Sequence, residues 1–417
     1  MLLNRFFLVL LFFAYNLLLS QTPAGYELWM DYKKVEMPSL SSQYSNIANE
    51  VTVLGEGETI QVIKNELLLA LPQMLGSQFE IKKEVGEKSS MIIATWAQLP
   101  QNIKKQIELD DESFGNEGFA LKSLNTKKAQ KVIVTANSEI GLLYGTFRLL
   151  AMMQQHSDLT NIDLADSPKI DIRMLNHWDN LDRTVERGYA GFSLWNWQKL
   201  PEFIDQRYVD YARANASVGI NAVSLTNVNA NALILTPMYL EKVKALAETF
   251  RPYGIKVYLT ARFSAPIEIG GLETADPLNQ KVIEWWQAKA DEIYGLIPDF
   301  GGFLVKANSE GQPGPQNYDR NHVDGANMMA KALAPHKGNV IWRAFVYSEH
   351  DADDRAKQAY SEFVPYDGQF LPNVLVQVKN GAIDFQPREP FHPMFGAMPK
   401  TPIMMEFQIT KEYLGFS

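Results

Sequence analysis

The sequence predicts an α/β chain: a (β/α)8 barrel of the TIM type, incomplete with about seven strands present, that follows a small α+β domain. Two observations predict this fold class. Seven short apolar runs recur after residue 170, each ending in a polar or charged cluster, and helical patterns lie between them. Such runs are typical of strands buried on both faces, and parallel strands need long, usually helical crossovers. The runs are 172–179, 220–229, 255–263, 303–310, 340–347, 374–380 and 403–409.

Residues 1–20 have the pattern of a secretory signal peptide. A single Arg5 precedes an unbroken apolar stretch from 6 to 15, and the small residue Ser20 closes the segment. This segment is short and poorly flanked for a stable membrane span. The expected protein is therefore exported, to the periplasm or the extracellular medium, and an uncleaved N-terminal anchor is the alternative. Because the chain has no cysteine, disulfides, a thiol nucleophile and a Cys-ligated metal are excluded.

Residues 21–155 predict the small α+β domain. Strand-like runs occur at 51–55, 91–95 and 131–135, separated by turn-rich or charged segments. Residues 60–71 and 139–153 carry apolar groups at three- and four-residue spacing, which predicts helices. Nothing in this region resembles a catalytic cluster, so we expect a structural role.

Residues 156–417 predict the catalytic barrel domain. A polar linker at 156–169 leads into the first strand, and helical patterns at 207–218, 237–250 and 279–295 alternate with the strands. Only eight residues follow the seventh run, whereas a closed barrel needs an eighth strand and helix. Either a strand near Trp195 or Phe391 has escaped recognition or the chain is a fragment, and we favour the fragment.

Composition limits the class of ligand. The chain has 417 residues, 46% of them hydrophobic, which is ample for two cores. Its net charge of -9 disfavours nucleic acid, since phosphate binding needs clustered Lys and Arg. Local cation clusters can still bind an anionic substrate.

Glu310 is the first candidate catalytic residue. It follows the fourth run within 306–315, where Gly and Pro residues fix the backbone and hold Glu310 at the mouth of the barrel. A carboxyl group at that place is suited to general acid catalysis. The alternative is an ion pair with Lys306, four positions earlier.

Two further carboxylates follow strand ends. Asp384 comes after the sixth run and Glu412 after the seventh, so the fold would bring both to the mouth that holds Glu310. An inverting glycosidase needs such an arrangement, because one group protonates the leaving oxygen while others activate water across the ring. The alternatives are a loop turn or a partner of Arg388 for Asp384, and a terminal surface charge for Glu412. Glu406 is a rival candidate and could equally be a buried structural carboxylate.

Three cations, Lys306, Arg343 and Lys379, are predicted at or near strand ends. A buried cation is costly unless it meets an anion. Arg343 with Lys379 would suit a sugar carboxylate, and neutralisation of the catalytic acids is an equally good interpretation.

The first run ends in a cluster with sugar-binding chemistry. Trp178 could stack on a sugar face, and His177 and Asp179 could bind hydroxyl groups, although a lone His is more often structural. No cluster has metal-ligand spacing, and no phosphate-binding glycine motif is present, so we expect no metal and no cofactor.

At these residues the chain resembles the α-glucuronidases of glycoside hydrolase family 67. The resemblance spans essentially the whole mature chain, and its motifs are long and specific. They are Gly25–Trp29, Arg173–Asp182, Arg187–Trp195, Lys306–Pro315, Lys379–Phe385 and Gln408–Gly415.

The resemblance implies a function and residue roles. It implies inverting removal of glucuronic acid, or its 4-O-methyl ether, from the non-reducing end of xylo-oligosaccharides in xylan breakdown. It implies that Glu310 is the general acid and that Asp384 and Glu412 serve the attacking water. It places Lys306, Arg343 and Lys379 against the uronate carboxylate, and Trp178 and Val228 beside the sugar and its methyl group. It also implies that a full-length protein continues into a helical C-terminal domain and forms a dimer, so that the barrel domain of this chain would be truncated.

Two other functions remain open on the sequence. One is a substrate-assisted hexosaminidase-like glycosidase, whose N-terminal domain would look similar and which would retain anomeric configuration. The other is a non-catalytic protein that binds a uronate or another sugar. The presence of all three carboxylates favours an enzyme, because a binding module has no need of them.

Overall fold

The computed structural model describes residues 25–107, 109, 114–125, 130–188, 190–345, 355–381 and 390–407. The chain divides into two compact units after Ser167. The expected signal peptide at 1–20 lies outside the described residues, and so do Asp384 and Glu412. Within the described ranges, no helix is both long enough and apolar enough to cross a membrane.

The first unit is a mixed sheet with helices, as the predicted α+β domain requires. Within the described residues the order is β2-β1-β3-β5-β4-β6, with β4 antiparallel to both of its neighbours. The strands are β1 (Val51–Val53), β2 (Ile81–Lys82), β3 (Met91–Thr95), β4 (Phe119–Asn125), β5 (Gln130–Ala136) and β6 (Asp163–Asp166). The helices are α1 (Pro38–Ile47), α2 (Glu58–Leu75), α3 (Gln101–Ile107) and α4 (Glu139–Gln154).

Local chemistry accounts for the ends of the two long helices in this unit. The Ser138 hydroxyl accepts a hydrogen bond from the Gly141 amide at 3.1 Å and so caps the start of α4. Gly76 follows α2 with a φ of 69°, the left-handed conformation that ends helices and that glycine adopts without strain. The segment expected as a polar linker contains β6, which pairs with β4 at the edge of the sheet.

The second unit contains a sheet of seven parallel strands, and the predicted incomplete barrel is confirmed for the described residues. The strands follow one another in chain order from β7 to β13. They are β7 (Met174–Asn176), β8 (Ala222–Ser224), β9 (Lys256–Thr260), β10 (Gly302–Val305), β11 (Asn339–Arg343), β12 (Val374–Lys379) and β13 (Ile403–Glu406). Between them lie α5 (Gln206–Ser217), α6 (Pro237–Phe250), α7 (Ala265–Glu268), α8 (Gln280–Leu296), α9 (His322–Leu333) and α10 (Arg355–Phe363).

The concave face of this sheet carries an apolar layer. Ala222, Tyr258, Leu304 and Ile341 form one buried cluster, against which Met174, Leu375 and Met404 also pack. Because side chains alternate across a strand, the residue two positions further along each strand faces the same interior. That next layer, which we call the polar layer, consists of Asn176, Ser224, Thr260, Lys306, Arg343, Gln377 and Glu406.

The sheet curls until its first and last strands approach each other. The Asn176 amide on β7 donates a hydrogen bond to the Glu406 carboxylate on β13 at 3.3 Å. Within the described residues, β7 pairs only with β8 and β13 only with β12. A side-chain contact therefore spans the seam between the two edge strands and brings the polar layer together.

Candidate active site

Three cations meet around one aromatic ring at the carboxyl ends of the strands. The Phe345 ring centroid lies 3.4 Å from Lys379 Nζ, 5.7 Å from the Arg343 guanidinium carbon and 6.0 Å from Lys306 Nζ. We call these four residues the cation pocket. All three cations are buried, with 5% of Lys379, 2% of Arg343 and 3% of Lys306 exposed. Buried cations are unfavourable unless they meet anions, so the pocket is suited to an anionic ligand.

Arg343 is already held by two neighbours of the polar layer. Its Nη2 donates to Glu406 Oε2 at 2.6 Å, and its Nε donates to Gln377 Oε1 at 3.1 Å. Its guanidinium also lies 5.9 Å from the Trp178 ring centroid. These contacts fix the plane of the guanidinium, so Arg343 is preorganised before a ligand arrives.

Lys306 lies between a carboxylate and an amide. Its Nζ donates to Asn229 Oδ1 at 2.8 Å and to Glu310 Oε2. Burial lowers the pKa of Lys306 from its ordinary value, and the hydrogen bond to Glu310 opposes that shift only in part. The ion pair that the sequence offered as an alternative for Glu310 is therefore present.

The loop after β10 holds Glu310 in a defined conformation. Asn308 and Glu310 have φ angles of 50° and 49°, a left-handed conformation that is uncommon for residues other than glycine. Asn308 Oδ1 accepts a hydrogen bond from the Gln316 amide at 3.0 Å, and a Cβ atom at Gly314 would lie 2.1 Å from that oxygen. Gly314 is thus required for the loop to close beneath Glu310.

A second cation reaches Glu310 from the loop after β7. Arg187 Nη2 lies 3.4 Å from Glu310 Oε1, and Arg187 Nε lies 3.4 Å from Glu186 Oε1. The Arg187 side chain is 64% exposed and that of Glu310 is 30% exposed, so this side of Glu310 faces the opening of the barrel. Glu310 can consequently meet both a buried group and a ligand entering from solvent.

Trp178 lies beside the cation pocket, 5.9 Å from the Arg343 guanidinium. Trp178 and Val228 both pack in the interior apolar cluster, Val228 being 2% exposed and Trp178 partly buried. The interior next to Trp178 therefore has an apolar surface. A sugar ring face or a methyl group could pack on such a surface.

His177 and Asp179 face different groups. His177 Nε2 is 2.8 Å from the Tyr211 hydroxyl on α5, and the His177 ring packs 5.1 Å from that of Trp195. Asp179 is 4% exposed and accepts hydrogen bonds from the Ser193 hydroxyl at 2.5 Å and the Leu194 amide at 3.2 Å. Asp179 also lines a cleft that contains Asn229. His177 therefore packs against α5, whereas Asp179 connects the loop after β7 to the lining of that cleft.

Several residues of the site were not identified from sequence. Phe345 and Asn229 lie within two of the predicted runs but beyond the ends of β11 and β8, Gln377 is the interior residue before Lys379, and Arg187 lies in a loop. Period-two counting from Lys379 would have found Gln377. Glu406 was named as a rival carboxylate, and its place is beside Arg343 and not beside Glu310.

A cleft of about 510 Å³ adjoins this site and shares Asn229 with it. Four asparagines, two aspartates, Thr226 and Tyr239 line it, together with Leu181 and Ile234. The described lining includes no Lys or Arg. The cleft therefore differs chemically from the cation pocket and is suited to a neutral, hydroxyl-rich ligand.

Solved structures resemble this chain in fold only. CpGH84D superposes with a TM-score of 0.52 at 13% identity, covering 79% of this chain and 52% of that one. CpGH84B superposes with a TM-score of 0.50 at 13% identity, covering 80% of this chain and 54% of that one. At this level of identity the similarity concerns the architecture alone.

Relatives in sequence are much more similar. Alpha-glucuronidase A of Emericella nidulans is 38% identical over 411 residues, covering 94% of this chain and 47% of the relative. Probable alpha-glucuronidase A of Aspergillus terreus is 40% identical over 369 residues, covering 86% of this chain and 43% of the relative. The chain spans about half the length of the curated relatives it matches.

Family models account for nearly the whole chain. The glycosyl hydrolase family 67 N-terminus matches residues 28–149, and the glycosyl hydrolase family 67 middle domain matches residues 152–417. These two segments contain the first unit and the barrel strands described above, including the cation pocket and Glu310. The chain therefore belongs to glycosyl hydrolase family 67.

Proposed function

We propose that this chain is the catalytic part of an α-glucuronidase. The substrate we infer is a xylo-oligosaccharide that carries glucuronic acid, or its 4-O-methyl ether, on the non-reducing-end xylose, and the bond broken is the α-1,2 linkage. The observation that carries the proposal is the cation pocket beside Glu310. A glucuronosyl group is a sugar with one carboxylate, and three buried cations next to a carboxylic acid match that chemistry.

The proposed roles follow from position. Lys306, Arg343 and Lys379 bind the uronate carboxylate, while Trp178 and Val228 border the ring and its methyl ether. Glu310 protonates the leaving oxygen as general acid. Asp384 and Glu412, which lie outside the described residues, serve the attacking water. His177 acts indirectly, by packing beside the loop that carries Arg187, and Asp179 offers its carboxylate to hydroxyl groups in the adjoining cleft.

The lining of the adjoining cleft supports the proposal that the leaving group is neutral. Its lining of amides, carboxylates and one tyrosine offers hydrogen bonds to hydroxyl groups without attracting an anion. The Asn229 side chain joins this cleft to Lys306, so a uronate in the cation pocket and xylose units in the cleft would be contiguous. This division of charge favours an acidic sugar linked to neutral ones.

Inversion is the expected stereochemical course. Two carboxylates that activate water must stand about 6.5–9.5 Å from the acid, which leaves room for one water molecule. Proton NMR of the first-formed sugar would give the β-anomer of glucuronic acid if the proposal is correct. The α-anomer would indicate retention and would favour the hexosaminidase-like alternative.

The proposed setting is hemicellulose breakdown outside the cytoplasm. The apolar leader at 1–20 supports export to the periplasm or the medium. Dimerisation is proposed for a longer form of the protein, following the family resemblance. The partners we propose are aldouronic acids, and the acidic overall charge argues against nucleic acid.

The test is a matched pair of carboxylate variants assayed on aldouronic acids. Glu310→Gln should lower turnover by about 10²–10⁴-fold, because it removes the transferable proton while keeping the side-chain shape. Asp299→Asn is the control: Asp299 pairs with Arg251 at 2.6 Å just before β10, at the opposite end of the strands, and should leave turnover unchanged. Equal turnover in Glu310→Gln and the parent chain would remove the assignment.

A further inference from the structure

Glu310 presents a difficulty for the role proposed above. A general acid must hold a proton when the reaction begins. In this structure Lys306 donates a hydrogen bond to one oxygen of Glu310, and Arg187 lies 3.4 Å from the other. Each oxygen of Glu310 thus has a cationic neighbour, and a carboxyl proton would have to displace one of them. In this arrangement neither oxygen is free to carry the proton that the acid has to give.

Lys306 is the group that could change this. Its side chain is 1% exposed, so the ammonium group has almost no contact with water and depends on its protein partners. Those partners are Glu310, the Asn229 amide oxygen and the Phe345 ring. A lysine ammonium group sits on a flexible four-carbon side chain, so it can change its hydrogen-bond partner between neighbouring anions. The Arg343 guanidinium, which is fixed by two hydrogen bonds, cannot do this as easily.

The positions of the surrounding charges favour such a movement once an anion arrives. Arg343 and Lys379 lie around the same Phe345 ring as Lys306, and Glu186 acts on Lys306 from the loop after β7. Arg343 is already held by the carboxylate of Glu406. Lys306 lies near the Phe345 ring and also donates a hydrogen bond to Glu310. A uronate carboxylate bound in the cation pocket would therefore compete with Glu310 for the Lys306 ammonium group.

We propose that Lys306 couples the occupancy of the cation pocket to the protonation of Glu310. When an anionic sugar binds, Lys306 turns from Glu310 to the incoming carboxylate, and Glu310 takes up one proton from solvent. That proton moves to the leaving oxygen as the glycosidic bond breaks. The proton lost by the attacking water returns to solvent, so the cycle balances. This inference rests on the proposed assignment of Glu310 as general acid.

A consequence for specificity follows from this coupling. A neutral hexoside of the same shape brings no carboxylate, so it leaves the Lys306 ammonium group on the Glu310 oxygen. The enzyme would therefore discriminate against neutral sugars in kcat as well as in KM, because the bound complex lacks a proton donor. Lys306 is on this account a specificity-determining residue.

The test is calorimetry of glucuronate binding to the 417-residue chain in buffers with different ionisation enthalpies. Between about pH 5 and 7, where general-acid carboxyls of glycosidases titrate, the parent chain should take up a fraction of a proton that approaches one. Glu310→Gln should bind glucuronate with no linked uptake. Glucose, the neutral match, should cause no uptake in either protein. Lys306→Gln should bind glucuronate more weakly and lose most of the linked uptake, since no ammonium is drawn away from Glu310.

Three results would overturn the coupling or its basis. Binding of glucuronate without proton uptake in the parent chain would show that the ligand does not change the protonation of Glu310. Uptake that persists in Glu310→Gln would place the proton elsewhere, Lys306 being the obvious site because burial lowers its pKa. A failure of glucuronate to bind at all would instead contradict the proposed function, and the two failures are distinguishable in the same titration.

Discussion

At the scale of single residues, Glu406 and Arg343 form the most deeply buried ion pair of the site. Their side chains are 9% and 2% exposed, and Glu406 Oε1 also accepts a hydrogen bond from Asn176. A buried ion pair is weak evidence for stability as such, but removal of one partner leaves an uncompensated charge. Glu406 is thus better suited to balancing Arg343 than to exchanging protons with a substrate.

This pairing predicts a strong effect of Glu406→Gln on stability. The free energy of unfolding should fall by about 3–5 kcal/mol, because the Arg343 guanidinium stays buried without its counter-charge. The measurement is the midpoint of urea unfolding. The double variant Glu406→Gln/Arg343→Met should recover much of the loss, since it removes both charges. A double variant whose loss equals the sum of the single losses would contradict the pairing.

The structure places the three predicted cations around one ring, places His177 against Tyr211, and places Asp179 in the lining of the adjoining cleft. Each of the three cations lies at the end of a strand, on the side of the sheet that faces the barrel interior. They are Lys306, Arg343 and Lys379. His177 lies between Asn176 and Trp178, which both face inward, so alternation turns it outward toward Tyr211. Burial among aromatic groups raises the pKa of Tyr211, so its hydroxyl stays neutral beside His177. The roles of all these residues in binding and catalysis stay predictions.

At the scale of elements, all seven barrel strands lie where the apolar runs predicted them. A strand that is buried on both faces appears in the sequence as a continuous apolar run. It can therefore be recognised without knowing which strands pair with it. The strand β6 was missed because it is a polar edge strand with one partner, and only tertiary pairing identifies it. The helices α9 and α10 were not recognised individually, and only the general alternation of strands and helices indicated them.

The loop after β10 predicts a specific sensitivity at Gly314. Gly314→Ala should lower turnover of aldouronic acids by about 10–100-fold while the Kd for glucuronate changes little. A Cβ atom there would displace Asn308 and with it the backbone that carries Glu310, whereas Arg343 and Lys379 of the cation pocket lie on other strands. Gly295→Ala is the matched control, since its Cβ would meet nothing within 4 Å. Normal turnover in Gly314→Ala would show that the loop does not position the acid.

A second prediction concerns α9 and α10, which are joined by a buried hydrogen bond. His322, 2% exposed, accepts a hydrogen bond from Trp342 Nε1 at its Nδ1 and lies 3.2 Å from Glu362 through its Nε2. Burial alone would raise the pKa of Glu362, but the hydrogen bonds that it accepts from His322, Gln316 and Gln358 outweigh burial, and the pKa lies below its ordinary value of 4.5. Glu362 therefore stabilises the folded state above that value, and the contribution disappears as pH falls through the folded pKa.

Unfolding temperatures at a series of acidic pH values test this pair. The parent chain should lose stability below about pH 4.5, and Glu362→Gln should lose less over the same range because its side chain does not titrate. Asp291→Asn is the control, because Asp291 meets His336 at the surface with 71% of its side chain exposed and such pairs contribute little. Parallel acid profiles for the parent and Glu362→Gln would contradict the assignment.

At the scale of the whole molecule, an acidic chain surrounds a cationic pocket. The net charge is -9, yet the proposed ligand is an anion that binds three buried cations. Exposed charges act over a distance that falls from about 30 Å at 0.01 M salt to about 8 Å at 0.15 M, whereas buried charges are screened much less. Long-range repulsion and short-range attraction should therefore respond differently to salt.

The association rate of glucuronate should consequently rise between about 0.01 and 0.15 M salt, because screening removes the repulsion first. Stopped-flow tryptophan fluorescence can follow binding, since Trp178 lies against Arg343. Glucose association should be independent of salt. An association rate of glucuronate that falls with salt would contradict this, because it would mean that the buried cations attract the anion over a long range.

The seam between β7 and β13 has one more implication. The same carboxylate that receives the Asn176 amide across the seam also neutralises Arg343. One side chain, Glu406, therefore affects both the contact between the two edge strands and the charge that an anionic ligand meets at Arg343. A motion that moves β7 and β13 apart would also separate Arg343 from its counter-ion. The affinity for an anion should therefore depend on how closely the two edge strands approach each other.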